Sequence, residues 1–167
     1  TGKSQILDLL SAFLGQENVS SVDVSALTED RFAAYNLVGK RANVRNETSG
    51  ETDMRKQADI KSLASGDPIE VQRKNGQPFR ARIYAKLFFA TNRPVHATSP
   101  DEGLIRRFYV IPFRGQWTND KEGYQPNIGR HLGLSAEVRR AMLDFALEGL
   151  DRLRHRGDYS RPAGIQE

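Results

Sequence analysis

Thr1-Gly2-Lys3-Ser4 opens the chain and runs directly into an apolar pattern of helical period, Ile6, Leu7, Leu10, Phe13 and Leu14, stopped by Gly15. Gly-Lys-Ser at the head of an amphipathic helix can do the chemistry of a phosphate-binding loop. The helix start offers backbone N–H groups to a phosphate, lysine adds a point charge, and serine ligates magnesium. The tetrapeptide alone is weak, because the same residues also begin ordinary helices. The glycine and strand that lead into such a loop do not precede it, so a phosphate loop here is expected to be cut within its own cradle.

Two further polar signals follow short apolar runs. Asn46-Glu47 comes after Ala42 and Val44, and Asn92 comes after Leu87-Phe88-Phe89-Ala90. A nucleotide hydrolase needs a phosphate cradle, an acid to handle magnesium and the attacking water, and a polar sensor near the γ-phosphate. In open α/β sheets such groups stand at the carboxyl ends of strands. Strand-end polar residues are common, so their order and separation carry the argument rather than any one of them. Arg106-Arg107 heads another apolar run, Phe108 to Ile111, stopped by Pro112. Neighbouring strand residues point to opposite faces, so at most one of the two reaches a ligand. It could be an arginine finger toward a neighbouring subunit, or the two could be surface arginines flanking a strand.

The elements that must position these groups read as follows. Val22 and Val24 alternate with polar neighbours as a short strand, and Thr28 caps a helix running to about Gly39. Ala42 and Val44 form a strand, and residues 53–65 a helix with Met54, Ile60, Leu63 and Ala64 inward and Gly66 as its stop. From Pro68 the period changes to two. Ile69 and Val71 alternate, Asn75-Gly76 turns the chain, and Phe79, Ala81 and Ile83 alternate back as a hairpin. Leu87 to Ala90 reads as a strand buried on both faces. Residues 114–133 read as a long loop in which Trp117 and Tyr124 pack. Ser135 then caps a last helix over 135–156, with Val138, Leu143, Ala146, Leu147, Leu150 and Leu153 as its buried stripe. Helices alternating with short buried strands predict an α/β domain with a mainly parallel sheet.

Residues 68–90 hold five basic residues, Arg73, Lys74, Arg80, Arg82 and Lys86, against the single acid Glu70. Arg73 and Lys74 stand directly before the turn. A basic tip suits a nucleic-acid backbone. On charge alone, protection of a sheet edge is the better of the two readings.

Composition bounds the class. At 167 residues, 38% hydrophobic and 28% charged, the chain is long enough for one domain with its own core and too apolar for a disordered tail. With no cysteine it has no disulfide, thiolate metal site or cysteine nucleophile. A net charge of +4 permits a nucleic-acid partner without demanding one. No apolar run reaches a membrane span, which leads to the expectation of a cytoplasmic protein. His96, His131 and His155 show no ligand spacing.

Taken together, the motifs resemble the superfamily 3 helicases, most closely the phage and plasmid primase–helicase group. Gly39-Lys40-Arg41-Ala42-Asn43-Val44-Arg45-Asn46-Glu47-Thr48 is similar to their Walker B region. Lys61-Ser62-Leu63-Ala64-Ser65-Gly66-Asp67-Pro68-Ile69 is similar to the segment that introduces their DNA-binding hairpin. Tyr84 to Asn92 resembles their sensor strand, and Gly103-Leu104-Ile105-Arg106-Arg107-Phe108-Tyr109-Val110-Ile111-Pro112-Phe113 their arginine-finger strand. Phe145 to Leu150 resembles the closing segment. The likeness spans residue 1 to about residue 162 in the right order.

The resemblance implies a P-loop, AAA-like ATPase with a mainly parallel central sheet, a hairpin insertion and its first strand missing. The core would occupy residues 1–113, with the hairpin at about 68–84, a loop at 114–134 and the last helix after it. ATP and Mg2+ would be the cofactors, single-stranded DNA the substrate track, and a ring, usually a hexamer, the assembly, often with a fused primase. By resemblance Gly2, Lys3 and Ser4 hold phosphates and magnesium, Glu47 polarises the attacking water, and Asn92 senses the γ-phosphate. Arg106 or Arg107 acts on the adjacent subunit, and Arg73 and Lys74 touch DNA. It also reverses the edge-protection reading of the hairpin.

This sequence departs from the family where Asn46 stands in place of an acid, which puts most of the site's charge on Glu47. The 167 residues alone are expected not to hydrolyse ATP at a useful rate. Two other classes stay open at this stage: a DNA-binding or ring-assembly module without catalysis, and a small-molecule P-loop kinase. The kinase would leave the basic hairpin without a purpose.

Overall fold

A computed structural model describes residues 2–46, 57–92, 103, 107–115 and 122–159. They fall into two compact units, Leu14–Phe108 and a second made of Thr1–Phe13 with Tyr109–Glu167.

The first unit is built on a three-stranded parallel sheet in the order β1-β2-β5, from β1 (Val19–Ser20), β2 (Ala42–Arg45) and β5 (Lys86–Phe89). Between β1 and β2 come α2 (Val24–Glu29) and a 3-10 turn, Ala33–Leu37. Between β2 and β5 come α3 (Gln57–Ser65) and an antiparallel hairpin, β3 (Pro68–Val71) with β4 (Phe79–Arg82). The fold is therefore α/β with a small parallel sheet, as the alternation of periods predicts. The core gathers Leu27, Ala33, Leu37, Leu63, Val71, Ile83 and Ala85, one contribution after another from α2, the 3-10 turn, α3, and the hairpin and the segment that follows it.

Asn43 locks this arrangement. It is wholly buried in the middle strand. Its Oδ1 accepts from Ser20 Oγ at 2.9 Å and from the Val22 N–H at 2.8 Å, and its Nδ2 donates to Val22 O at 2.9 Å. The carboxamide thus stands in for sheet hydrogen bonds beyond the two-residue β1.

The second unit is helical: α1 (Lys3–Leu14, which ends one residue into the first unit), α4 (Ile128–Leu134) and α5 (Ala136–Arg156). Gly129 and Gly133 are the buried positions of α4, and they lie against α1. A Cβ at Gly129 would come within 1.9 Å of Gln5 O, and one at Gly133 within 2.3 Å of the Ala12 Cβ. Gln5 Oε1 in turn accepts from the Gly129 N–H at 3.0 Å. Ser135 caps α5 as expected, accepting from the Val138 N–H at 3.3 Å, and Gly157 ends it with φ 74°.

Several expectations are corrected. Val24 belongs to a helix, because Asp23 accepts from the Ser25 N–H and caps α2 there. Thr28 falls inside that helix, which ends at Glu29 instead of running to Gly39. Phe108 to Ile111 forms no strand and is exposed, since no neighbouring strand offers it a ladder among the described residues. Residues 128–133 are helical where a loop was expected. Leu143, Ala146, Leu147 and Leu150 on α5 are exposed, and α5 has no buried residue. Ala64 is exposed, and Phe88 keeps 38% of its surface, so neither lies inside as expected. Met54 lies outside the described residues.

Replacing Asn43 with alanine should lower the unfolding free energy by roughly 2–4 kcal/mol, because the partner groups lose their acceptor in a dry site. Urea titration followed by circular dichroism checks this, and a loss under about 0.5 kcal/mol would deny the clamp its role. Gly129→Ala should destabilise by roughly 1–3 kcal/mol, as overpacking against a backbone carbonyl does, read in the same titration.

Candidate functional site

The carboxyl edge of the parallel sheet collects the polar groups. β2 and β5 pair with Arg45 opposite Phe89, and the ladder continues as the Ala90 N–H donates to Arg45 O at 3.0 Å. Asn46 therefore leaves β2 beside Ala90, and Asn92 lies two residues further along the neighbouring chain. Asn46 is half-buried and Asn92 exposed. These two sequence-predicted residues stand on one edge, where α/β sheets present ligand-binding groups. Glu47 and Arg106 lie outside the described residues.

Sequence reasoning missed a third group on this edge. β1 runs parallel to β2, so Asp23 emerges beyond its carboxyl end. One carboxylate oxygen of Asp23 accepts from the Ser25 N–H at 3.0 Å and from Ser25 Oγ at 2.8 Å. The other lies 3.5 Å from Arg45 Nε. The carboxylate thus caps α2 and holds the guanidinium that precedes Asn46. The signal was present in the sequence as an aspartate two residues before a serine, the pattern of a helix cap. The alternation of Val22 and Val24 obscured it.

Lys3 and Ser4 occupy the first turn of α1, with Gly2 O accepting from the Ile6 N–H at 3.2 Å. The helix start accordingly falls where Gly-Lys-Ser would have to place it. The first residues of a helix direct backbone N–H groups outward along its axis. A lysine and a serine in that turn are chemically suited to phosphate and to a magnesium ion, which prefers hard oxygen donors and keeps several waters. Among the described residues no group of three His, Asp or Glu has metal-ligand geometry.

The hairpin forms where the sequence predicts one, with a small shift of its turn. The Gly76 N–H donates to Arg73 O at 2.8 Å, so Lys74 and Asn75 form the centre of the turn. Asn75 adopts φ 63°, a left-handed conformation that asparagine tolerates well. Gln72 Nε2 donates to Gly76 O at 2.9 Å and braces the tip from inside. Arg73 and Lys74 are both exposed there.

Arg107 is exposed but engaged. Its Nε donates to Ser65 Oγ at 3.0 Å and its Nη1 to Gly103 O. One of its five donors thus ties residue 107 to the end of α3, and a second ties it to the backbone at Gly103.

Among the described residues no helix is long and apolar enough to cross a membrane. A family of unknown function (DUF5906) matches residues 1–107, which covers α1 and nearly the whole sheet unit. No curated protein matches the chain.

Asp23→Asn should cost well under 1 kcal/mol, because the amide oxygen still caps α2, whereas Asp23→Ala should cost roughly 1–2 kcal/mol. Chemical denaturation of the two variants side by side tests this; equal losses would mean that the ion pair to Arg45, rather than the cap, dominates.

Proposed function

The chain belongs to this family of unknown function, and we propose that it is the ATPase motor of a superfamily 3 DNA helicase of the phage and plasmid primase–helicase type. The reading is supported above all by the order of parts within one unit. A parallel strand leads into Asn46, then come α3, a hairpin with a basic tip, and the adjacent parallel strand leading to Asn92. A small-molecule kinase needs no such hairpin, whereas a motor that follows a nucleic-acid backbone does.

In this proposal the finer fold is that of a P-loop, AAA-like ATPase acting as a ring, probed first as a hexamer, in the cytoplasm of a bacterium or infected host. A primase domain is its expected companion. Gly2 and Lys3 would bind the β- and γ-phosphates of ATP at the start of α1, and Ser4 would hold magnesium through its hydroxyl. Bound magnesium would supply charge neutralisation on the phosphate oxygens. Glu47 orients a water for in-line attack on the γ-phosphorus and takes up its proton, the bond to the β-phosphate oxygen breaks, and ADP leaves with phosphate. Asn92 donates to the γ-phosphate from the next strand. Asn46 would lie on the metal's side of the site as a neutral acceptor that adds no charge, which leaves Glu47 as the site's acid. Arg106 supplies the positive charge offered to the neighbouring subunit, with Arg107 holding the segment through Ser65. Lys74 and Arg73 follow the phosphates of single-stranded DNA.

Steady-state ATP hydrolysis by the parent protein tests the catalytic half. Glu47→Gln should reduce turnover by roughly 10²-fold or more, in the range of positioned acid–base catalysis, while leaving ATP binding intact. Near-normal turnover would sink the assignment. Lys74→Ala should weaken single-stranded DNA binding and lower the salt slope by about 1, measured by anisotropy over a salt series.

A further inference from the structure

The segment that climbs out of the hairpin and enters the sheet has a regular outer face. From β4 into β5, Arg80, Arg82, Tyr84 and Lys86 occupy alternate positions, and all four are exposed. Between them the chain points inward. Ala81 packs against the core, Ile83 is 2% exposed and Ala85 4% exposed. Tyr84 is the outlier of the stripe: a large aromatic ring with 69% of its surface in solvent, between two fully anchored neighbours. None of the ion pairs among the described residues involves Arg80, Arg82 or Lys86.

We infer that this outward stripe is a track for single-stranded DNA, in which Tyr84 stacks on a base while Arg82 and Lys86 on either side neutralise phosphates two steps apart along the strand. The inference rests on the DNA-binding reading of the hairpin and extends it from the tip to the hairpin's foot. Alternate residues of a strand, as Arg80 and Arg82 are in β4, repeat at about 6.6–6.8 Å, comparable to the step between phosphates of an extended single strand. Cations at that repeat with an aromatic ring among them are the two components of sequence-tolerant single-strand binding. A duplex keeps its bases stacked on one another and has no free face for the ring. An acidic peptide would use the cations and leave Tyr84 idle. Because Ile83 and Ala85 are locked in the core, the ring is held outward on fixed backbone, which lowers the ordering cost of stacking.

The test is anisotropy with the full chain, using labelled oligo(dT) and an abasic sugar–phosphate strand of equal length. Tyr84→Ala should weaken oligo(dT) binding by roughly 5-fold or more, as loss of one stacked base does, with the salt slope and the abasic strand unaffected. Tyr84→Phe should bind like the parent. Arg82→Ala should weaken both strands and lower the salt slope by about 1. If Tyr84→Ala changes neither strand, or both equally, the stacking role is overturned. A Lys74→Ala variant separates the two ideas. Silence there with a selective Tyr84 effect refutes the tip and supports the foot, whereas loss there with a silent Tyr84 refutes the foot alone. Failure of the parent to bind oligo(dT) refutes both.

Discussion

The carboxamide of Asn43 is the constraint on which the sheet unit turns. A primary amide sealed from water must have its acceptor and donors met within the protein or lose several kcal/mol (about 1–3 for each orphaned group). Here Ser20 and Val22 meet the oxygen and an N–H of the nitrogen, and they can do so only when β1 lies parallel to β2 with Ser20 opposite Asn43. A slip of one residue would turn the amide to the other face of the sheet. The pairing register is therefore chosen by hydrogen-bond satisfaction as much as by apolar burial. Everything at the carboxyl edge inherits that choice: Asp23 emerges within reach of Arg45, and Asn46 emerges beside Ala90.

Much of this was readable from local signals. The change of period at Pro68, the Asn75-Gly76 pair, the glycine stop at Gly66 and the serine cap at Ser135 each state their meaning within a few residues, and the structure has the matching elements. What escaped was decided by distant partners. The helix at Ile128–Leu134 carries two glycines, poor helix formers whose presence makes sense only once α1 lies against them. Phe108 to Ile111 has the composition of a strand but no strand beside it among the described residues, and composition cannot supply a partner. The α5 stripe has the right spacing for burial, yet spacing says which residues share a face and not whether that face is covered.

The candidate site divides the same way. Asn46 and Asn92 could be placed from sequence because strand ends follow from strand positions. Asp23 and Arg45 could not, since their meeting depends on β1 and β2 being adjacent. One continuous stretch, residues 79–92, unites the two themes: its exposed side chains include the cations and Tyr84, its buried ones fill the core, and its far end delivers Asn92 to the sheet edge. A shift along that run would be felt at both ends, because the buried Ile83 and Ala85 leave little slack between them.

The hairpin has a consequence for the order in which the chain can assemble. β5 must find β2 across a long intervening stretch, and the conformational cost of closing such a loop grows with its length. The hairpin lies within that stretch and needs only local contacts, so it can close in microseconds without waiting for the rest. Once closed, it brings Pro68 alongside Arg82 and removes the whole excursion from the effective loop. The ends left to join are then separated by little more than α3 and the residues before it. A protrusion offered to a ligand would thereby also act as a shortcut in folding, and lesions in its turn would slow the formation of a parallel sheet that the turn never touches.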